Sequence, residues 1–198
     1  LSGKVALVTG ASRGLGQYLG RALARAGADL VVTARKREDA AAFTDEVRGF
    51  GRCCEALSLD VRDEASIRRA TDEAQAAFGR IDVLVNNAGC NVRKRALEVT
   101  WEDWNTVVDT NLRGAFFVAQ AVARHMIPRG IGRIVNIGSV TSVFGSAGLA
   151  PYCASRGGVK QLTMSLADEW GKHGITVNCL APGWFKTEMQ AQSFLLLP

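Results

Sequence analysis

The chain predicts a doubly wound α/β fold, a Rossmann-type parallel sheet with helices on both faces, and three observations predict it. Short apolar runs alternate with longer segments of helical periodicity. The first run passes through a glycine-rich turn straight into one of those segments. No repeat, low-complexity tract or linker interrupts the alternation, so residues 1–198 read as one domain carrying both cofactor and catalytic sites. Continuous apolar strands separated by helices imply a sheet buried on both sides.

In chain order, residues 5–9 form the first predicted strand and residues 15–26, with apolar positions three and four apart, the first helix. Strands follow at 30–33 and 56–59, a helix at 65–78, and a strand at 83–85 that ends in Asn86-Asn87-Ala88-Gly89. Thr100, with Asp103 three residues on, has the pattern of a helix cap and starts a helix over 101–126. Residues 134–137 form a strand that leads to Ser139, residues 152–173 a helix, and residues 176–180 the sixth strand. Residues 193–198 are strongly apolar and close without a polar turn, which leaves two expectations: a truncated chain, or a tail packed on the body or on a second subunit.

With 47% hydrophobic residues the chain can bury one substantial core. It opens without a charged-then-apolar leader and has no apolar stretch near the roughly 20 residues of a membrane helix, so a soluble cytoplasmic protein is expected. Five scattered cysteines without CxxC spacing support neither a disulfide framework nor a metal site; Cys179, inside the last strand, is expected to be buried. The net charge of +5 gathers at Arg35-Lys36-Arg37 and Arg93-Lys94-Arg95, each just beyond an apolar run, which favours a small anion over nucleic acid.

Thr9-Gly10-Ala11-Ser12-Arg13-Gly14-Leu15-Gly16 joins the first strand to the first helix. Glycines at 10, 14 and 16 let the backbone turn tightly and approach a pyrophosphate, which the helix N-terminus favours. The second strand ends at Ala34, where an NAD-selective fold would place a carboxylate; Arg35 and Arg13 instead offer two guanidiniums to a 2′-phosphate. NADP is therefore expected over NAD. Asp60, after the third strand, is placed to accept from an adenine amine or to cap a helix. The cofactor-binding candidates are Gly10, Ser12, Arg13, Gly14, Leu15, Gly16, Arg35, Asp60, Val61, Asn87, Ala88, Gly89, Pro182, Gly183 and Thr187.

Tyr152 and Arg156 are four residues apart and share a helix face, so the guanidinium is expected beside the Tyr152 hydroxyl, where a fixed cation favours an ionised phenol. Ser139 can hydrogen-bond the same substrate oxygen. The ordered set resembles the short-chain dehydrogenase/reductase family across essentially the whole chain: its TGxxxGxG turn at Thr9 to Gly16, its NNAG at Asn86 to Gly89, its asparagine at Asn111, its serine at Ser139, its tyrosine at Tyr152, and its Pro-Gly-xxx-Thr at Pro182, Gly183 and Thr187.

By that resemblance Tyr152 would be the general acid, Ser139 would orient the substrate oxygen, Asn111 would hold a relay water, and Thr187 would contact the nicotinamide carboxamide. The family's lysine position is Arg156 here, which keeps a cation and its donors but cannot give up a proton near neutrality. Lys160 is too far along the helix to substitute. The family also continues past Thr187 into a substrate lid, a helix and a final strand that are missing here. The implied function is NADP-dependent interconversion of a secondary alcohol and a ketone by a homodimer or homotetramer that binds neither nucleic acid nor membrane. Residues 181–189 resemble ketogluconate and sugar or polyol dehydrogenases, Arg93, Lys94 and Lys186 offer charges for a carboxylate, and Trp184 and Phe185 are candidate pocket walls. An acyl-thioester ketone competes as substrate. The alternative is a nucleotide-binding sensor or scaffold that has lost efficient chemistry.

Overall fold

A computed structural model describes residues 1–185. Six parallel strands, β1 (Val5–Val8), β2 (Asp29–Ala34), β3 (Cys54–Ser58), β4 (Val83–Asn86), β5 (Gly132–Ile137) and β6 (Ile175–Leu180), form one sheet in the order β3-β2-β1-β4-β5-β6. The order reverses between β1 and β4, which opens a crevice at their carboxyl ends, the usual ligand position in such sheets. No helix of the described residues is long and apolar enough to cross a membrane.

Helices α1 (Gly14–Arg25) and α2 (Ala41–Gly49) cover one face, where Ala24, Phe43 and Val47 pack on Val8, Leu30 and Val32. Against the other face lie α3 (Glu64–Phe78), α5 (Gly114–Met126) and α6 (Ala150–Gly171), which bury Ile67, Val118 and Leu166 with Leu7, Leu84 and Ile134. Burying a side chain of this size contributes about 1.5–3 kcal/mol, so the two layers fix the sheet and with it the loops at its ends.

The expected strands and most helices are present, with three differences. Helix α2 has no predicted counterpart, because Phe43 and Val47 are a single i,i+4 pair and too short a stripe for a periodicity argument. The predicted helix over 101–126 is two helices, α4 (Trp101–Val108) and α5, joined by a π-helical turn at Asp109–Arg113. The cap at its start is as predicted: Thr100 accepts from the Asp103 N–H while the Asp103 carboxylate accepts from the Thr100 N–H. Cys179 is half-buried rather than buried, because β6 is the last strand of the sheet among the described residues and its residues alternate between core and surface. The apolar residues at 193–198 lie outside the described residues.

Candidate active site at the carboxyl end of the sheet

The crevice begins with β1. Gly10 and Gly14 take positive φ values of 66° and 58°, which only glycine adopts without strain. Gly16 is needed for a different reason: a Cβ there would meet the Gly10 carbonyl and lie 2.7 Å from Asn87 Nδ2. The turn is stapled to β4 across the crevice. Thr9 Oγ1 accepts from the N–H groups of Asn87 and Ala88, both at 2.9 Å, and Asn87 Nδ2 donates to the Thr9 and Gly10 carbonyls. Helix α1 starts without a capping side chain and without an acid in its first turn, whereas α3 is capped by Asp63 and α4 by Thr100. Its first N–H groups therefore remain available to an anion.

From this turn one cleft runs along the sheet end past Arg35, Asp60, Val61, Gly89, Ser139, Tyr152, Arg156, Pro182 and Gly183 to Trp184 and Phe185. It gathers every predicted cofactor-binding and catalytic residue among the described ones except Gly16, which packs behind the turn, and Asn111, which sits beneath the cleft floor. Thr187 and Lys186 lie outside the described residues. Asp60 is not a helix cap, since Asp63 caps α3. Burial pushes the Asp60 carboxyl up, but the N–H and guanidinium of Arg62 outweigh it and hold the group below the usual carboxylate range, an ionised acceptor on the cleft wall.

At the reaction end Ser139 is buried, and its Oγ accepts from the Thr141 N–H at 3.1 Å, leaving the hydroxyl proton free for the cleft. Ser142 ties it in place, accepting from the Ser139 N–H and donating to the Arg156 carbonyl. Asn111 stands on the π-turn, a feature often found at functional sites. Its Nδ2 donates to the Cys90 carbonyl and to Ser155 Oγ, its Oδ1 accepts from the Cys90 N–H, and Ser155 donates in turn to the Tyr152 carbonyl.

The expected place of Arg156 needs correction. Its guanidinium carbon lies 5.1 Å from the centre of the Tyr152 ring, over the face rather than beside the hydroxyl, and makes no hydrogen bond to that hydroxyl. Nη1 donates to the Ile137 carbonyl at 2.6 Å, and Nη2 fills the space that a Cβ at Gly89 would need. Lys160 is exposed and outside the cleft. Lys94 is also corrected as a carboxylate ligand: its Nζ is held by Asp103 at 2.6 Å, and it does not line the cleft. Each basic cluster thus supplies one residue, Arg35 or Arg93, while Arg37 pairs with Glu55.

Ionised side chains on the cleft comprise five arginines, Arg13, Arg35, Arg62, Arg93 and Arg156, against the single carboxylate of Asp60. Only Arg62 has an acid within ion-pair reach among the described residues. Three side chains on the cleft, Asn91, Thr141 and Arg156, hold buried polar atoms without partners; among the described residues only Gln75 shares that condition. Five guanidiniums against one carboxylate give the cleft an excess of positive charge that suits an anionic ligand. The sequence reading missed the Thr9 staple, Ser142, and a buried ladder in which Asn86 donates to Asn136 and Asn136 to Thr163. Polar residues inside apolar runs were the available signal.

Residues 4–195 match the family model for short chain dehydrogenase. Gluconate 5-dehydrogenase of Gluconobacter oxydans is 46% identical over 96% of this chain and 74% of its own length. The 3-oxoacyl-[acyl-carrier-protein] reductase of Escherichia coli is 41% identical over 94% and 75%. A gluconate 5-dehydrogenase from Burkholderia cenocepacia, solved with NADP and tartrate, superposes with a TM-score of 0.94 at 44% identity, over 97% of this chain and 75% of that one.

Proposed function

The chain belongs to the short-chain dehydrogenase family, and we propose that it interconverts a secondary alcohol and a ketone by hydride transfer, with NADP as cofactor. One observation carries this reading: a single cleft holds an uncapped, glycine-turned helix start with two acid-free guanidiniums at one end and Tyr152 with Ser139 at the other. The residues fit the cofactor. The α1 N–H groups suit a pyrophosphate, Arg13 and Arg35 suit a 2′-phosphate, Asp60 and Val61 line the adenine side, and Pro182 and Gly183 the nicotinamide side.

A bound nicotinamide supplies or accepts the hydride. Tyr152 gives the proton to the carbonyl oxygen in reduction and takes it back in oxidation, while the Ser139 hydroxyl donates to the same oxygen. Arg156 acts by charge and placement. A guanidinium keeps its proton throughout the ordinary pH range, so it stabilises negative charge as it develops on the oxygens above it without joining a proton relay. Asn111, through Cys90 and Ser155, holds the strand end and helix start that carry these groups.

For the substrate, Arg93 is exposed on the cleft without an acid partner, and Trp184 and Phe185, each 55% exposed, wall it instead of joining the core. A polyhydroxy carboxylate suits a guanidinium beside aromatic walls, and the tartrate in the Burkholderia relative is an open-chain anion of that kind. A sugar acid is therefore favoured over a 3-oxoacyl thioester. Exposed Trp101, Trp104, Phe117 and Met164 give α4, α5 and α6 apolar surface for a homodimer or homotetramer.

Consumption of NADPH against keto sugar acids, neutral polyol ketones and 3-oxoacyl thioesters tests the reading, with Tyr152→Phe as control. The variant is expected to lose about a thousandfold or more in kcat, in keeping with loss of a general acid, while its NADPH affinity stays within about threefold. Tight NADPH binding without turnover on any of these ketones would leave the sensor reading instead.

A further inference from the structure

Ser142 does not line the cleft, yet its hydroxyl joins the two elements that carry the reacting groups. Oγ accepts from the Ser139 N–H at 3.1 Å and donates to the Arg156 carbonyl at 2.8 Å. One partner lies at the start of the short turn that follows β5, the other on α6 one helical turn beyond Tyr152. A carbonyl only accepts and a backbone N–H only donates, so the one hydroxyl proton points at α6 and a lone pair at Ser139.

Inside a helix each carbonyl already receives the N–H of the next turn, so α6 does not need this bond for its own sake. The turn does need it. Toward β6 the turn is fastened by the Gly138 N–H on the Leu180 carbonyl at 2.7 Å and by the Val140 N–H on the Pro182 carbonyl at 3.0 Å. Toward α6, the Ser142 hydroxyl makes the only hydrogen bond from residues 139–142 among the described residues. The chain just beyond it, residues 143–145, is exposed and adds no packing to hold the turn in place. Gly138 keeps room for the clamp, since a Cβ there would stand 3.0 Å from Ser142 Oγ.

We propose that Ser142 is a positioning residue for the reaction: by clamping the Ser139 N–H to the Arg156 carbonyl, its hydroxyl sets the spacing at which the Ser139 and Tyr152 hydroxyls both reach one substrate oxygen. The inference rests on the dehydrogenase reading of the cleft. Ser142 meets neither substrate nor cofactor and acts through Ser139. Displacing a reacting group by about 1 Å can slow a reaction by about a hundredfold, so freeing the turn lowers turnover. The Arg13 and Arg35 end of the cleft is untouched by the change, and cofactor affinity stays as it was.

The test is steady-state turnover of the ketone that the parent reduces best, with NADPH affinity measured beside it. Ser142→Ala is expected to lower kcat about tenfold while KM and the NADPH Kd stay within about twofold. Ser142→Thr, which keeps the hydroxyl, should recover most of the rate. Added to Ser139→Ala, the same Ser142→Ala change should cost less than about twofold more, because no hydroxyl is left to position. Thr71→Val, which removes a hydroxyl bonded to the Ile67 carbonyl of α3, should leave kcat unchanged. The proposal is overturned if Ser142→Ala turns over as the parent does, if it costs as much without the Ser139 hydroxyl as with it, or if Ser142→Thr is no faster than Ser142→Ala. Should the alanine variant fail to fold, Ser142→Cys, a weak donor of similar shape, takes its place in the same comparison. A parent without Tyr152-dependent turnover overturns the dehydrogenase reading and this inference with it, whereas an active parent with an indifferent Ser142→Ala overturns the inference alone.

Discussion

Only two charged side chains are buried among the described residues, Asp82 and Arg156, and they lie at opposite ends of the sheet. At the amino end the Asp82 carboxylate accepts from the Val5 N–H and from both Arg80 and Arg129, with every bond between 2.6 and 3.0 Å. At the carboxyl end Arg156 has one backbone carbonyl, an aromatic face and an orphaned Nε. Both ends bury a charge, and they do so in opposite ways. A buried charge whose partners are all within the chain belongs to the scaffold, and one whose partners are missing marks where a ligand completes the structure.

Three measurements would break or sharpen that contrast. The largest expected effect is at the satisfied end: Asp82→Asn leaves two guanidiniums facing a neutral group and should destabilise the chain by about 2–4 kcal/mol, read as the denaturant midpoint. A loss no larger than that of an exposed aspartate such as Asp45 would remove the distinction. Next comes the ligand end. Arg35→Ser should weaken NADPH by about 10–100-fold while changing NADH little and stability by less than about 0.5 kcal/mol. A similar loss for both dinucleotides would show that Arg35 does not meet a 2′-phosphate.

The smallest effect is a pH signature of Asp82. Burial pushes its carboxyl up, but the donors from Arg80, Val5 and Arg129 outweigh it and bring it down to about 2. A lowered folded-state value means that the contribution is complete above the usual carboxylate range and is lost as pH falls through about 2. The parent should therefore shed stability between about pH 4 and pH 2, and Asp82→Asn should be flatter over that interval. Parallel curves would mean that the carboxylate is not the group responsible.

What was legible in the sequence was local. The strands, the Thr9 to Gly16 turn and the Thr100 cap all rest on spacings of a few residues, where backbone geometry alone decides. What was not legible needed partners distant in sequence. Asp82 meets Arg129 across 47 residues, and the Thr9 hydroxyl holds Asn87 across 78. Lys94 and Arg93 are neighbours of like charge, yet Asp103 captures one and leaves the other on the cleft. The place of Arg156 was missed for a related reason: i,i+4 spacing puts two side chains on one face without fixing where a long one ends, and the Ile137 carbonyl and the gap at Gly89 drew it across the ring.

The π-turn at Asp109–Arg113 makes the place of Asn111 a matter of one residue of chain length. An α-helix turns about 100° per residue, so removing a single residue here would restore an unbroken helix and swing everything on one side of the cut by that angle relative to the other. Asn111 would leave Cys90, or the Val118 and Val122 stripe would leave the core. Insertions and deletions are usually harmless in loops and ruinous in helices; in this helix the irregular length is what lets one rod serve the core along one line and the cleft along another.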